Sequence, residues 1–215
     1  MPENLFETQY DVTKRSRFKQ FYESNKIIIY SIISILVISL AATTFYYENK
    51  SKKKILLSEN YIKAKIYLNN ENKKEALEIL KTNVFENDAT YSPLSLFLIM
   101  DQNLIPNYKE VSDLFDHILT NNNFLPEVRD LLIYKKALHD SNYVNELELI
   151  ESTRPLLSDK SFWKPHALLL LGDYFFSKRE YVKSIEFYQE IFSIKNLSQD
   201  IYNHAKSQLV LAAND

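Results

Sequence analysis

From Ile27 to Tyr47 the chain runs 21 residues without a charge, closed by Lys26 on one side and Glu48 on the other. A bilayer core about 30 Å thick is crossed by about 20 helical residues at ~1.5 Å rise each, so the run is long enough to span it. Backbone groups left unpaired in hydrocarbon cost several kcal/mol each, which predicts a helix here. Phe45, Tyr46 and Tyr47 end the run with the amphipathic rings that favour a membrane interface. The competing reading is a cleaved signal peptide, with Ile27 to Ile38 as its apolar region and Ser39-Leu40-Ala41 as small residues for a peptidase. Against it, 26 residues precede the run and include Glu3, Glu7, Asp11 and Glu23. The apolar stretch also outlasts the ~7–15 residues of a signal core. An uncleaved anchor over 27–47 is the expectation, between a tail at 1–26 and a single domain at 48–215.

Charge does not orient the anchor. Lys14, Arg15, Arg17, Lys19 and Lys26 precede it, and Lys50, Lys52, Lys53, Lys54, Lys63 and Lys65 follow closely. Five against six is no asymmetry for the positive-inside rule to act on. Phe18, Phe21 and Tyr22 lie at i, i+3, i+4 beside Arg17 and Lys19, the pattern of a short interfacial helix, with an unstructured tail as the alternative. Within the span, Ser31, Ser34, Ser39 and Ala42 share one arc. Such residues let a second helix pack closely, or each hydroxyl bonds its own backbone one turn back.

Composition narrows what the domain can do. Removing the 5 basic and 4 acidic residues that precede Glu48 from the chain's 26 and 28 leaves 21 basic and 24 acidic. That balance carries no electrostatic footprint for nucleic acid. Cysteine is absent, which excludes disulfides, thiolate metal sites and an acylated lipoprotein anchor. Gly172 is the only glycine, so the glycine-rich phosphate and dinucleotide loops are excluded as well. His117, His139, His166 and His204 make no i, i+4 metal pair, and no serine sits on a glycine-flanked nucleophile turn. The expectation is no catalytic residue, no metal, no cofactor and no small-molecule substrate. The Lys50–Lys54 run suits anionic head groups at ~1 kcal/mol per lysine, or equally a solvated helix start that snorkels.

Apolar residues recur at helical spacing through the domain: Ala76, Leu77, Leu80, Val84; Val111, Leu114, Phe115, Ile118, Leu119; Ile185, Tyr188, Ile191, Phe192. Short polar breaks separate them, at 69–72, 121–123, 139–142 and 177–180, lengths that suit antiparallel helix pairs. An all-α domain is predicted. The segment from Leu171 to Tyr188 resembles a tetratricopeptide repeat without a gap, with Leu171-Gly172, Phe175, a turn, Tyr181, Ser184 and Tyr188 in place. Gly172 and Ser184 would let two helices approach, with Phe175 and Tyr188 filling the space around the crossing. Arg179 stands where a turn glycine is common, Ile191 where a small residue is, and Asn196 where a proline closes the repeat. Carried back, the register puts Lys73, Tyr108 and Tyr143 at the Tyr181 position, and Leu80, Phe115 and Ile150 at that of Tyr188. Four tetratricopeptide-like hairpins are expected, forming a solenoid. A last helix N-capped by Ser198 would follow, burying Ile201, Ala205, Leu209 and Ala212 and exposing Asn203, Lys206 and Gln208.

Taken in order, the basic and aromatic lead-in from Arg17 to Lys26, one span, a charged helix continuing from it and tetratricopeptide-like pairs resemble the ancillary SecYEG translocon subunit family of Gram-negative bacteria. The stretch from Trp163 onward is similar too, and Tyr91 to Leu157 matches least. The resemblance implies a cytoplasmic tail, an inner-membrane anchor and a periplasmic domain. It also implies contact with the SecYEG channel and a share in handing emerging proteins to periplasmic chaperones, without catalysis. The alternative is a similar scaffold for another envelope assembly, in cell division or outer-membrane biogenesis; an enzyme is the least supported class. In tetratricopeptide repeats the first helix of each pair lines the concave face. The register therefore places a partner-binding groove at His166, Leu169, Asp173 and Phe176 in the fourth pair and at Leu131, Lys135 and Leu138 in the third. The C-terminal helix filling that groove is the competing arrangement.

The anchor reading has a direct check. The mature protein is expected to keep its N-terminus and to resist carbonate extraction from membranes. A mature chain beginning near Ala42 would end it.

Overall fold

The computed structural model describes residues 17–214, with side chains from Lys19 to Ala213. Most of the tail, with Lys14 and Arg15, lies outside the described residues, as do the side chains of Arg17 and Phe18 that the interfacial-helix reading used. Among the described residues the chain is helical throughout and has no strand. The helices are α1 (Arg17–Asn69), α2 (Lys73–Phe85), α3 (Tyr91–Asp101), α4 (Tyr108–Asn121), α5 (Pro126–Asp140), α6 (Glu146–Thr153), α7 (Lys164–Ser177), α8 (Tyr181–Ile191) and α9 (Gln199–Asn214), with a 3-10 turn at Arg154–Leu157.

Two compact units are present, one ending at Lys53 and the other running from Lys54, and α1 contributes residues to each. In the first unit α1 is interrupted at Asn25 (φ −120°, ψ 16°). There the Asn25 amide donates to the Phe21 carbonyl at 3.1 Å, a local alternative to the helical ladder. The stretch that follows makes this the one helix among the described residues long and apolar enough to cross a membrane. Its mean hydropathy reaches 2.3, and its most apolar 18 residues are buried by nothing in the protein. Thr43 and Thr44 both donate to the Leu40 carbonyl at 2.9 Å, so these hydroxyls are satisfied without a neighbouring helix.

In the second unit the predicted stripes are the buried ones. Ala76, Leu80 and Val84 of α2 and Val111, Leu114, Phe115 and Ile118 of α4 form one core with Ala64 of α1, Leu96 and Ile99 of α3 and Leu132 of α5. Asn83, fully buried, ties three helices together. Its side-chain amide donates to the Leu57 carbonyl of α1 at 2.9 Å, and its own carbonyl accepts from Ser92 of α3 at 2.8 Å. A second cluster joins Ala137, Leu149, Leu171 and Phe175, and a third joins Leu168, Tyr188, Ile191, Ile201 and Ala205. Neighbours in sequence pack on one another: α2 on α3, α4 on α5, α7 on α8, and α8 on α9.

Side-chain caps mark the starts of α4, α6 and α9, while α2 and α8 begin without one. α2, α4 and α8 begin at Lys73, Tyr108 and Tyr181, three of the four positions that the sequence register aligns with one another. The remaining one, α6, begins at Glu146 rather than at Tyr143. Its boundary is set by Asn145, whose side-chain oxygen accepts from the Glu148 amide at 3.0 Å as an N-cap. The Ser198 hydroxyl similarly accepts from the Ile201 amide at the start of α9. Two breaks absent from the sequence reading, after α2 and after α3, are made by Asn87 (φ 55°) and Asn103 (φ 49°) in the left-handed region. Glu71, Arg179 and Asn196 turn the chain in the same way at three other helix ends. Asparagine tolerates this conformation, whereas other non-glycine residues hold it at about 1–2 kcal/mol each.

The lone glycine stands where α7 and α8 approach closely. A Cβ at position 172 would lie 2.4 Å from Cε1 and 2.7 Å from Cδ1 of the fully buried Tyr188 ring. Ser184 also faces this crossing and donates its hydroxyl to the Gly172 carbonyl at 2.9 Å. Phe175 stacks on Phe187 beside it, with centroids 5.5 Å apart. Gly172→Leu should therefore overpack the α7–α8 crossing and cost roughly 1–3 kcal/mol, seen as a lower melting temperature. An unchanged melt would refute the close approach.

Candidate functional site

The seven residues expected to line a groove are divided by the structure into two groups. On α7, Leu169 is partly buried in the cluster that contains Ile201, Ala205 and Leu209 of α9. Asp173, one turn on, accepts a hydrogen bond from the Tyr188 hydroxyl at 2.7 Å and lies 3.4 Å from Nε2 of His204 on α9. Burial and that carboxylate together raise the Tyr188 phenol well above its ordinary pKa. Both positions are thus taken up by the two helices that follow α7. Phe176 sits at the end of α7, half-buried, its ring edge-to-face with Tyr181 at 5.6 Å. On α5, Leu131 and Lys135 are half-buried and Leu138 is exposed.

His166 opens a different feature. It lines a cleft of about 1020 Å³ whose walls include Pro126 and Asp130 of α5, Phe162, Ile194 and Leu197. Side chains at the start of α7 and just before it hold this wall in place. Ser161 donates to Asp130 Oδ2 at 2.6 Å, and the Trp163 indole donates to the Glu127 carbonyl at 3.2 Å. Lys164, little exposed, reaches Asp159 at 2.8 Å and Glu190 of α8 at 3.1 Å. Hydrogen bonds to those carboxylates raise the Lys164 pKa, so it stays a cation. The His166 ring lies against both Trp163 (centroids 4.8 Å) and Tyr134 (5.6 Å), which stack on each other at 5.3 Å, and its Nδ1 is buried with no hydrogen-bond partner. Burial pushes its pKa below the ordinary histidine value. The cleft mixes aliphatic and aromatic side chains with charges of both signs, Glu127, Asp130 and Asp159 against Lys160 and Lys164. Sequence periodicity missed it because its sides come from three separate segments.

One constellation brings serine, histidine and aspartate together. The Ser112 hydroxyl donates to Asp140 Oδ2 at 2.8 Å, and His139 Nδ1 meets Asp140 Oδ1 at 2.9 Å. Both point at the carboxylate, so no base faces the serine, which is itself buried. The trio joins α4 to α5 as packing. Among the described residues no group of three metal-ligating side chains is close enough to hold an ion.

Comparison with protein-family models, with curated proteins and with solved structures gives no match to this chain.

Burial of His166 carries a pH consequence. Its pKa is lower folded than unfolded, so below about pH 6.5 the unfolded chain takes up a proton that the folded one resists. That contribution destabilises the fold as pH falls. His166→Phe keeps an aromatic ring against Trp163 and Tyr134 and removes the proton uptake. Its melting temperature should fall less than the wild type's between about pH 7.5 and about pH 5.5. Parallel falls would show that His166 is not the group responsible.

Proposed function

We propose that this chain is a membrane-anchored protein-interaction scaffold built of tetratricopeptide-like helix pairs, without catalytic activity or cofactor. The observation that carries this reading is the sequence of elements. A helix long and apolar enough to span a bilayer is followed by short helices, of which α2, α4 and α8 start at Lys73, Tyr108 and Tyr181, and Gly172 lies at the α7–α8 crossing. The pairs are the end of α1 with α2, α3 with α4, α5 with α6 and α7 with α8, and α9 covers the last. Helix stacks of this kind present extended side-chain surfaces and bind proteins through them. Here the cleft at His166 and the α5 face with Leu131, Lys135 and Leu138 are the surfaces offered, together with Phe176.

The anchored location proposed is a bacterial inner membrane, with the N-terminus cytoplasmic and the helical domain periplasmic. The partners proposed are the SecYEG translocon and periplasmic chaperones that receive emerging proteins. This assignment rests on the likeness in segment order and in the aromatic, basic lead-in to the span. A scaffold for cell division or outer-membrane biogenesis is the second reading, on the same helical architecture.

Crosslinking in intact cells followed by purification in detergent separates them. The translocon channel is expected to come down with the full chain. Recovery of a different envelope complex, or of the full chain without the channel, would overturn the translocon assignment.

A further inference from the structure

Within the second unit α1 is apolar on two opposite sides. Leu57 and Ala64 are buried in the domain, and Tyr61 and Leu68 pack partly beside them. On the other side Ile55, Ile62 and Ile66 leave 56%, 55% and 54% of their surface exposed. At about 100° per residue these three fall within about 40° of each other and roughly opposite Ala64. They form a ridge. A single exposed isoleucine is unremarked in folded proteins, but an aligned row is the signature of a contact surface.

Charges set what fits the row. Lys54 and Lys65 flank it on one side and Lys63 on the other, all exposed, and exposed Glu59 lies along the ridge between Ile55 and Ile62. Lys63 lies 5.8 Å from the centre of the Tyr67 ring, on its own helix.

We infer that this ridge docks one helix of a partner protein, apolar along its contact line, acidic on its flanks and carrying a basic residue opposite Glu59. The charge pattern disfavours two other occupants. A second copy running parallel would set Glu59 against Glu59 along the seam, a buried like-charge pair. An anionic lipid surface would welcome the lysines but strip water from Glu59 beside its own negative charge. A helix with one cation in an apolar line answers all four charges. The inference needs no part of the translocon assignment.

The chain contains no cysteine, so Ile62→Cys in the full chain gives a single labelling site. In discs of neutral phosphatidylcholine, two synthetic helical peptides with the same leucine ridge serve as probes. One has glutamate flanks and a central arginine; the other has lysine flanks and a central glutamate. The acid-flanked peptide is expected to slow maleimide labelling of the Ile62→Cys chain and to bind the wild-type chain about tenfold more tightly than the other. Lys63→Glu with Lys65→Glu should reverse that preference, and Ile62→Ser should weaken binding about tenfold with an unchanged melt. Equal binding of both peptides would overturn the inference. So would slowed labelling in phosphatidylglycerol discs without peptide, which would make the ridge a lipid contact. Self-association lost in Ile62→Ser would overturn it in favour of a second copy.

Discussion

The contact of the Gly172 backbone with the Tyr188 ring leaves no room for a Cβ, and the packing of α7 on α8 depends on it. With a hydrogen at Cα, α7 comes near enough to α8 for Ser184 to donate into the Gly172 carbonyl, a group already inside the α7 ladder. The same approach seats the Tyr188 hydroxyl on Asp173, and Asp173 in turn faces His204 of α9. One missing methyl group thus lets two helices approach, and Asp173 links that crossing to α9. Net hydrogen bonds contribute only about 0.5–1.5 kcal/mol each. Their value at this crossing is geometric: they fix which residues of α8 and α9 lie against α7.

That geometry also decides how much of α7 is left for partners. Leu169 and Asp173 face residues of α8 and α9, while Phe176 at the end of the helix packs on Tyr181 and His166 near its start lines the cleft. Binding energy at protein surfaces concentrates in a few well-packed aromatic or charged residues. The aromatic group of Trp163, His166 and Tyr134 beside a cleft is therefore a better-furnished surface than the middle of α7. It owes its shape to Ser161 on Asp130 and to Lys164 between two carboxylates, contacts made across the sequence.

The sequence was legible where periodicity and composition report directly on burial. The uncharged run, the stripes at Ala76–Val84 and Val111–Ile118, and the role of the only glycine are of this kind. The breaks after α2 and α3 were harder to see because Asn87 and Asn103 turn the chain there without a glycine, although Pro106 lies in the second. The shift of α6 to Glu146 came from a cap on Asn145, a stronger local signal than the repeat register. The use of Asp173 was not legible, since its partners Tyr188 and His204 are 15 and 31 residues away and either could have faced water. The double-sided character of α1 was hidden for a simpler reason. With Leu57, Ala64 and Leu68 on one side and Ile55, Ile62 and Ile66 on the other, the two apolar faces cancel in any reading of amphipathicity.

The dependence of the C-terminal helices on the α7–α8 crossing is measured most directly by native-state hydrogen exchange on the full chain in detergent. Amides from Leu170 to Phe175 and from Ser184 to Ile191 should exchange most slowly and together, with those of α9 opening earlier. Exchange at the crossing as fast as in α9, or independent of it on the two helices, would contradict the account.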